Sequence, residues 1–272
     1  MHQRPRTRWS FRAWRQRPWL AALDSAAFLA LALVLAAVLG ADSGASGYAW
    51  HWGRAPAYLV DPETGEPGPL LEGLFVTLTV CAWSLGLALV FGLLGALGRL
   101  GGSLLGRALA RGYVEAVRNT PLLIQIFLIY FVLGPVLDIP RFPAAVLSLA
   151  LFEGAYIAEI LRAGIVGIHQ GQWEAALSLG LTEAQAYRRV ILPQAVRRVL
   201  PPLAGQTVTL VKDSALVSVI AVYDLTMRGR TVISDTFLTF EIWFTVAAMY
   251  LVLTLALSLC SRYLERRLEV SA

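Results

Sequence analysis

Long apolar runs alternate along this chain with short stretches of Arg, Asp, Glu, Gly and Pro. Ser25 to Ala41, Gly73 to Gly98, Asn119 to Leu137 and Ile242 to Ser261 hold no charged side chain. Phe142 to Leu161 and Leu203 to Tyr223 share this character but enclose Glu153 and Glu159, and Lys212 and Asp213. About 20 such residues suffice for a helix to cross a hydrocarbon core of roughly 30 Å. The pattern predicts six transmembrane helices in an all-α integral membrane fold. In the second run Ala88, Gly92 and Ala96 recur every fourth position, which either lets another helix approach closely or reflects a helix rich in Ala and Gly.

The most informative polar interruption between two runs is residues 171–194. Gln172 to Leu179 suits a short helix, Gly180 a residue that ends it, and Thr182 with Gln185 a capping box opening a second helix. Pro193 is expected to stop that helix. Two short helices joined by a glycine corner form a rigid knob on one face of the membrane, against which a soluble partner can push.

Composition strengthens the membrane reading. The 272 residues are 57% hydrophobic and 15% charged, against roughly 45–50% apolar and about 25% charged in soluble domains. Most basic residues fall beside alternate spans: Arg4 to Arg17 before the first, Arg99 to Arg118 after the second, Arg162 to Arg198 after the fourth and Arg262 to Arg267 after the sixth. Asp42, Asp61, Glu63, Glu66 and Glu72 crowd the first loop on the other side. The positive-inside rule then places both termini and the 171–194 loop in the cytoplasm. The net charge of +5 expresses this orientation, and no nucleic-acid-binding fold accompanies it. Cys81 and Cys260 lie within spans and read as packing residues. The 17 uncharged residues of the first run exceed a signal-peptide core of roughly 7 to 15, so a retained helix is expected. A Gly-, Pro- and acid-rich loop from Ala41 to Pro69 separates it from the rest, dividing the chain into 1–69 and a five-span unit at 70–268.

No catalytic constellation is visible. A P-loop needs Gly-Lys-Ser/Thr, yet Lys212, preceded by Val211, is the only lysine. His2, His51 and His169 are dispersed, so no metal site is expected. A charge at mid-span costs about 2.5–3.5 kcal/mol on insertion scales, which makes Lys212 a pathway candidate. Thr209, Lys212 and Asp213 share a helix face by their i, i+3, i+4 spacing. Glu153 lies halfway along the fourth span, so Lys212 with Glu153 or Asp213 offers one charge to each end of a zwitterion. An interhelical ion pair among the same residues is the competing reading. Glu159 and Arg162 are expected to pair or to brace the cytoplasmic loop. Arg118, before Thr120 and Pro121, reads as an interface anchor and helix-start feature, or as a gate residue.

Residues 171–194 carry Glu174-Ala175-Ala176, three residues, Gly180-Leu181, and then Val190-Ile-Leu-Pro193. This resembles the EAA loop of ABC-importer permeases, with Val190 where the family usually has Ile. Tyr113 to Gln125, Ala155 to Ile165 and Lys212 to Leu216 are similar to other signatures of the polar-amino-acid branch, the histidine, glutamine, arginine and glutamate/aspartate importers. The resemblance covers Leu70 to Leu268 and implies a type I five-helix permease core, here with one extra N-terminal helix, in a bacterial inner membrane. It implies that Glu174, Ala175, Ala176, Gly180, Leu181 and Pro193 couple to a separate ABC ATPase that holds ATP and magnesium. It further implies an external amino-acid-binding protein and a second or paralogous permease, all within membrane lipid. An ion-coupled secondary transporter and an ABC permease for another small polar solute are the alternatives.

Overall fold

The computed structural model describes residues 48–268. The chain divides into two units, Met1–His51 and Trp52–Ala272, and the second carries every helix named below. The first predicted span, Ser25 to Ala41, lies outside the described residues.

A 3-10 turn, Trp52–Tyr58, and a tight loop precede the helices. In that loop Asp61 Oδ1 accepts from the N–H groups of Glu63 and Thr64 at 2.8 and 3.3 Å, which holds its carboxyl below the usual range. Eight helices follow: α1 (Pro69–Leu100), α2 (Leu104–Arg118), α3 (Leu122–Leu137), α4 (Arg141–Val166), α5 (Gln170–Ser178), α6 (Glu183–Ile220), α7 (Leu225–Thr236) and α8 (Thr239–Leu268). α1, α4, α6 and α8 are long and apolar enough to cross a membrane, and α2 with α3 forms a fifth candidate bent by 108°. The sequence places the start of that span at Asn119; the chain instead breaks at 119–121 and α3 begins at Leu122. Pro121 favours an extended residue before it and a helix after it.

Local chemistry sets the ends. Pro69 opens α1, with Glu72 in its first turn and Arg99 in its last, each charge opposing the helix dipole. The side chains of Ser103 and Asp224 cap α2 and α7. α3 and α6 each contain a π turn, Leu128–Leu133 and Tyr187–Ile191, ending two residues before Pro135 and Pro193. Pro193 therefore does not stop the helix. The wide turn carries the Leu192 N–H back to the Tyr187 carbonyl, and the ring that would clash in a regular turn is accommodated. The predicted second short helix and the fifth span are one element, α6.

α1 packs most extensively along α4. Ala88, Gly92 and Ala96 are buried, and a Cβ on Gly92 would overlap Ile157, so their four-residue spacing is packing. Val80, Ile126, Leu149, Leu210 and Val217 form the central core. Outward faces of α1 and α8 expose large apolar residues such as Phe75, Trp83, Val252 and Leu259, as lipid contact requires. Cys81 is buried as expected, whereas Cys260 is exposed.

Candidate functional site

The knob forms first from local rules. His169 caps α5, its Nδ1 accepting from the Gly171 N–H at 3.0 Å. Gly180 follows with φ of +79°, a left-handed conformation that costs a residue with Cβ about 1–2 kcal/mol. The Gly180 and Leu181 N–H groups donate back to the Leu177 and Ala176 carbonyls, closing the helix end in the manner of a Schellman motif. The Thr182 hydroxyl accepts from the Gln185 N–H, and the Gln185 side chain accepts from the Thr182 N–H at 3.0 Å. α6 thus starts at a defined angle to α5.

Tertiary contacts tie the knob down. Ala176 and Ala186 are buried, the Trp173 and Tyr187 rings lie 6.2 Å apart, and Gln194 Nε2 donates to Gln172 Oε1 at 3.1 Å. Arg198 donates to the Gly167 carbonyl at the end of α4. Glu174 and Ala175 are exposed, Leu181 is half-buried and Leu179 protrudes at 82% exposure. On the other arm Ala184, Gln185, Arg188 and Arg189 line an open concavity of about 490 Å³. The knob therefore offers an apolar tip between an acidic and a basic side chain set.

Behind it stands a three-residue clamp. Glu159 Oε1 accepts from Arg162 at 2.5 Å, and its Oε2 accepts both from Arg99 at 2.5 Å and from Arg162 Nε at 3.2 Å. The Glu159–Arg162 pairing matches expectation. Arg99 extends it across to α1 and is not visible from sequence, because the two residues lie 60 positions apart.

Arg118, Thr120 and Pro121 lie at the α2–α3 bend. The Arg118 guanidinium sits 5.2 Å over the Tyr156 ring, and the Thr120 hydroxyl donates to the Ala116 carbonyl at 2.9 Å. Gln125 is buried and donates to the Val117 and Thr120 carbonyls and to the Thr120 hydroxyl. It satisfies carbonyls that the break leaves without helical partners. A second side-chain amide, after Asn119, inside an apolar run beside Pro121 was the signal available for it.

The membrane residues separate into two settings. Glu153 is 1% exposed and its Oε2 accepts from Gln206 Nε2 at 2.6 Å; Oε1 is buried with no hydrogen-bond partner among the described residues. Lys212 is exposed and is in no ion pair among the described residues. The interhelical pair between Lys212 and Glu153 is therefore absent, because Glu153 faces the buried side of α6 and Lys212 the opposite one. Gln206, an uncharged residue that the pattern of charges in the spans does not mark, takes the place of the lysine. Asp213 is half-buried. Thr209 and Lys212 do share a face, and it continues as Arg198, Pro202, Gly205, Thr209 and Lys212, all exposed. No bulky apolar side chain stands in this stripe, unlike the exposed faces of α1 and α8. Such a surface suits water or another protein helix and not acyl chains.

Comparison with known proteins agrees with this geometry. Residues 88–270 match the family described as binding-protein-dependent transport system inner membrane component. The chain is 42% identical over 204 residues to the glutamine transport system permease protein GlnP of Escherichia coli (strain K12), covering 74% of this chain and 93% of that protein. It is 44% identical over 164 residues to the probable glutamine ABC transporter permease protein GlnM of Bacillus subtilis (strain 168), covering 60% of this chain and 76% of that one. A crystal structure of an amino acid ABC transporter with histidines superposes with a TM-score of 0.70 at 40% identity, over 73% of this chain and 94% of the other.

Proposed function

This chain belongs to the family of binding-protein-dependent transport system inner membrane components, and from that premise we propose that it is the permease subunit of an ATP-driven importer for polar amino acids. It is a transport subunit, and ATP is hydrolysed by a separate ATPase. The observation that carries the reading is the continuity of α6. One helix begins as the second arm of the knob and passes, without ending at Pro193, to the uncovered face bearing Thr209 and Lys212.

A partner that grips the knob therefore acts on a lever whose far end lies in the membrane. Glu174 and Leu179 on one arm, and Arg188 and Arg189 on the other, are the side chains presented to the ATPase, which carries the ATP and magnesium. Closure of two ATPases draws two knobs together, and the α6 helices change their tilt between outward and inward access. The stripe from Arg198 to Lys212 is the seam with a second permease, a copy of this chain or a paralogue, and the substrate passes along it. Lys212 there offers an ammonium to a substrate carboxylate, with the half-buried Asp213 next to it in the chain, while Glu153 stays buried against Gln206 on the opposite side of α6. An external binding protein delivers the amino acid on the side of the Asp61 loop. Both termini and the knob are cytoplasmic, in agreement with the arginine distribution. Similarity to glutamine permeases and to a structure with histidines supports a polar amino acid as cargo.

The test is reconstitution of the permease in proteoliposomes with its ATPase and binding protein, followed by uptake of labelled glutamine and histidine. Uptake is expected to require ATP inside and binding protein outside. Uptake driven by a proton or sodium gradient without ATP would replace this reading with an ion-coupled one.

A further inference from the structure

The amphipathic helix α2 takes no part in the knob or the α6 seam. Seen down its axis, Arg107, Arg111, Glu115 and Arg118 occupy one side, and Leu105, Leu109, Gly112 and Ala116 the other, at the 3.6-residue period. A third sector, through Tyr113 and Val114, packs on α1 and α4, with the Tyr113 hydroxyl donating to the Leu151 carbonyl at 2.7 Å. The apolar side is left open, with Leu105 70% and Leu109 66% exposed. Arg107 and Arg111 are exposed and have no ion pair among the described residues.

The bend fixes how this helix lies. α3 spans Leu122–Leu137; at 1.5 Å per residue this is about 24 Å, short of a core of roughly 30 Å. A short segment crosses with little tilt. A helix bent by 108° from such a span would lie close to the membrane plane, an arrangement that lets its leucines meet hydrocarbon and its arginines the headgroups. Between α2 and the end of α1 runs an apolar groove of about 320 Å³, lined by residues including Phe91, Leu94, Gly98, Leu109 and Tyr113. Ordered water needs two to four polar partners, and this lining supplies few.

We propose that α2 and the end of α1 form a binding site for an anionic phospholipid, one acyl chain lying in the groove and the phosphate held by Arg107 and Arg111. The occupant follows from complementarity. Two guanidinium groups at i, i+4 project side by side and bind phosphate oxygens in a bidentate fashion, while the groove, whose lining includes their chain neighbours Gly106 and Ala110, is apolar and suits hydrocarbon. A second copy of the chain is a poorer fit, because large leucines and unpaired charges here replace the small residues of the α6 seam. The proposal rests on the orientation given above only in assigning the site, which lies at the end of α1 marked by Arg99, to the cytoplasmic leaflet.

The experiment uses the assembled permease and ATPase in nanodiscs of phosphatidylcholine alone or mixed in equal parts with phosphatidylglycerol. Retained lipid is identified by native mass spectrometry, and affinity is measured by titrating phosphatidylglycerol. Wild type is expected to retain phosphatidylglycerol selectively. Arg107→Gln with Arg111→Gln should weaken it about tenfold or more, since each arginine beside an anionic surface contributes roughly a fivefold factor. Leu109→Ser should weaken retention of both lipids, and Arg230→Gln, on α7, should change nothing. Equal retention by wild type and the double variant, or no preference between the two lipids, would overturn the proposal. Loss of the second permease copy from the double variant with lipid retention unchanged would also overturn it, assigning α2 to a protein interface.

Discussion

Glu153 and Lys212 illustrate how two charges in one bilayer meet different fates. Burial against Gln206 binds Glu153 into the bundle, whereas Lys212 stands on an uncovered face. Lys212→Met is therefore expected to leave insertion and assembly intact while lowering uptake or altering preference between glutamine and histidine, read from KM and maximal rate in proteoliposomes. Adding Glu153→Gln should not rescue it, because no ion pair links the two; rescue would show that they pair in the working complex. Asp224 presents a different case, outside the spans. It caps α7 through the Met227 N–H at 2.8 Å and is fully buried, and that burial raises its pKa from 3.8 to about 6. A raised carboxyl favours the folded state most where the group is protonated, and this contribution is lost as pH rises through about 6. Thermal melting in detergent should accordingly shift upward between pH 7 and pH 5. Asp224→Asn keeps the cap and should flatten that dependence.

At the level of elements, the corner between α5 and α6 is where local geometry and coupling meet. Gly180→Val places a β-branched residue at φ of +79° and should cost about 1–2 kcal/mol of local structure. Because the corner is exposed, that cost falls on the knob and not on the bundle. Uptake and stimulation of the ATPase are expected to fall together while membrane levels stay normal. Glu174→Lys should reduce ATPase binding, measured by co-purification, without affecting melting. Unchanged coupling in both variants would remove the knob from the mechanism. The π turn before Pro193 carries a further expectation. Since Pro193 does not end α6, Pro193→Ala should preserve helicity and expression, and the lever should still work.

Across the whole molecule, topology is the property on which every partner assignment depends. In a background lacking Cys81 and Cys260, single cysteines at Ser178 and Thr64 should react with impermeant reagents from opposite sides of the membrane, Ser178 from the cytoplasm. An external Ser178 would end the ATPase assignment. The Arg99–Glu159–Arg162 clamp joins α1 to α4 at the end that bears the knob. Its pairs are only partly buried, with side-chain exposures of 15–29%, so Glu159→Gln should cost little stability, about 1 kcal/mol or less, and should act mainly on the transport rate.

The spans at Gly73 to Gly98, Phe142 to Leu161 and Ile242 to Ser261, the capping box at Thr182 and the glycine corner were legible in the chain by itself. Each depends on composition or spacing within a few turns, which hydrophobicity and backbone sterics fix locally. The continuity of α6 through Pro193 was not legible, since a widened turn is a property of the packed helix and a proline alone reads as a stop. Nor were the partners of charged residues: Glu159 finds Arg99 and Glu153 finds Gln206 only after α1, α4 and α6 are packed side by side. Hydrophobic periodicity says which residues enter the membrane, but which face of each helix meets protein, lipid or a polar seam is set by packing between helices.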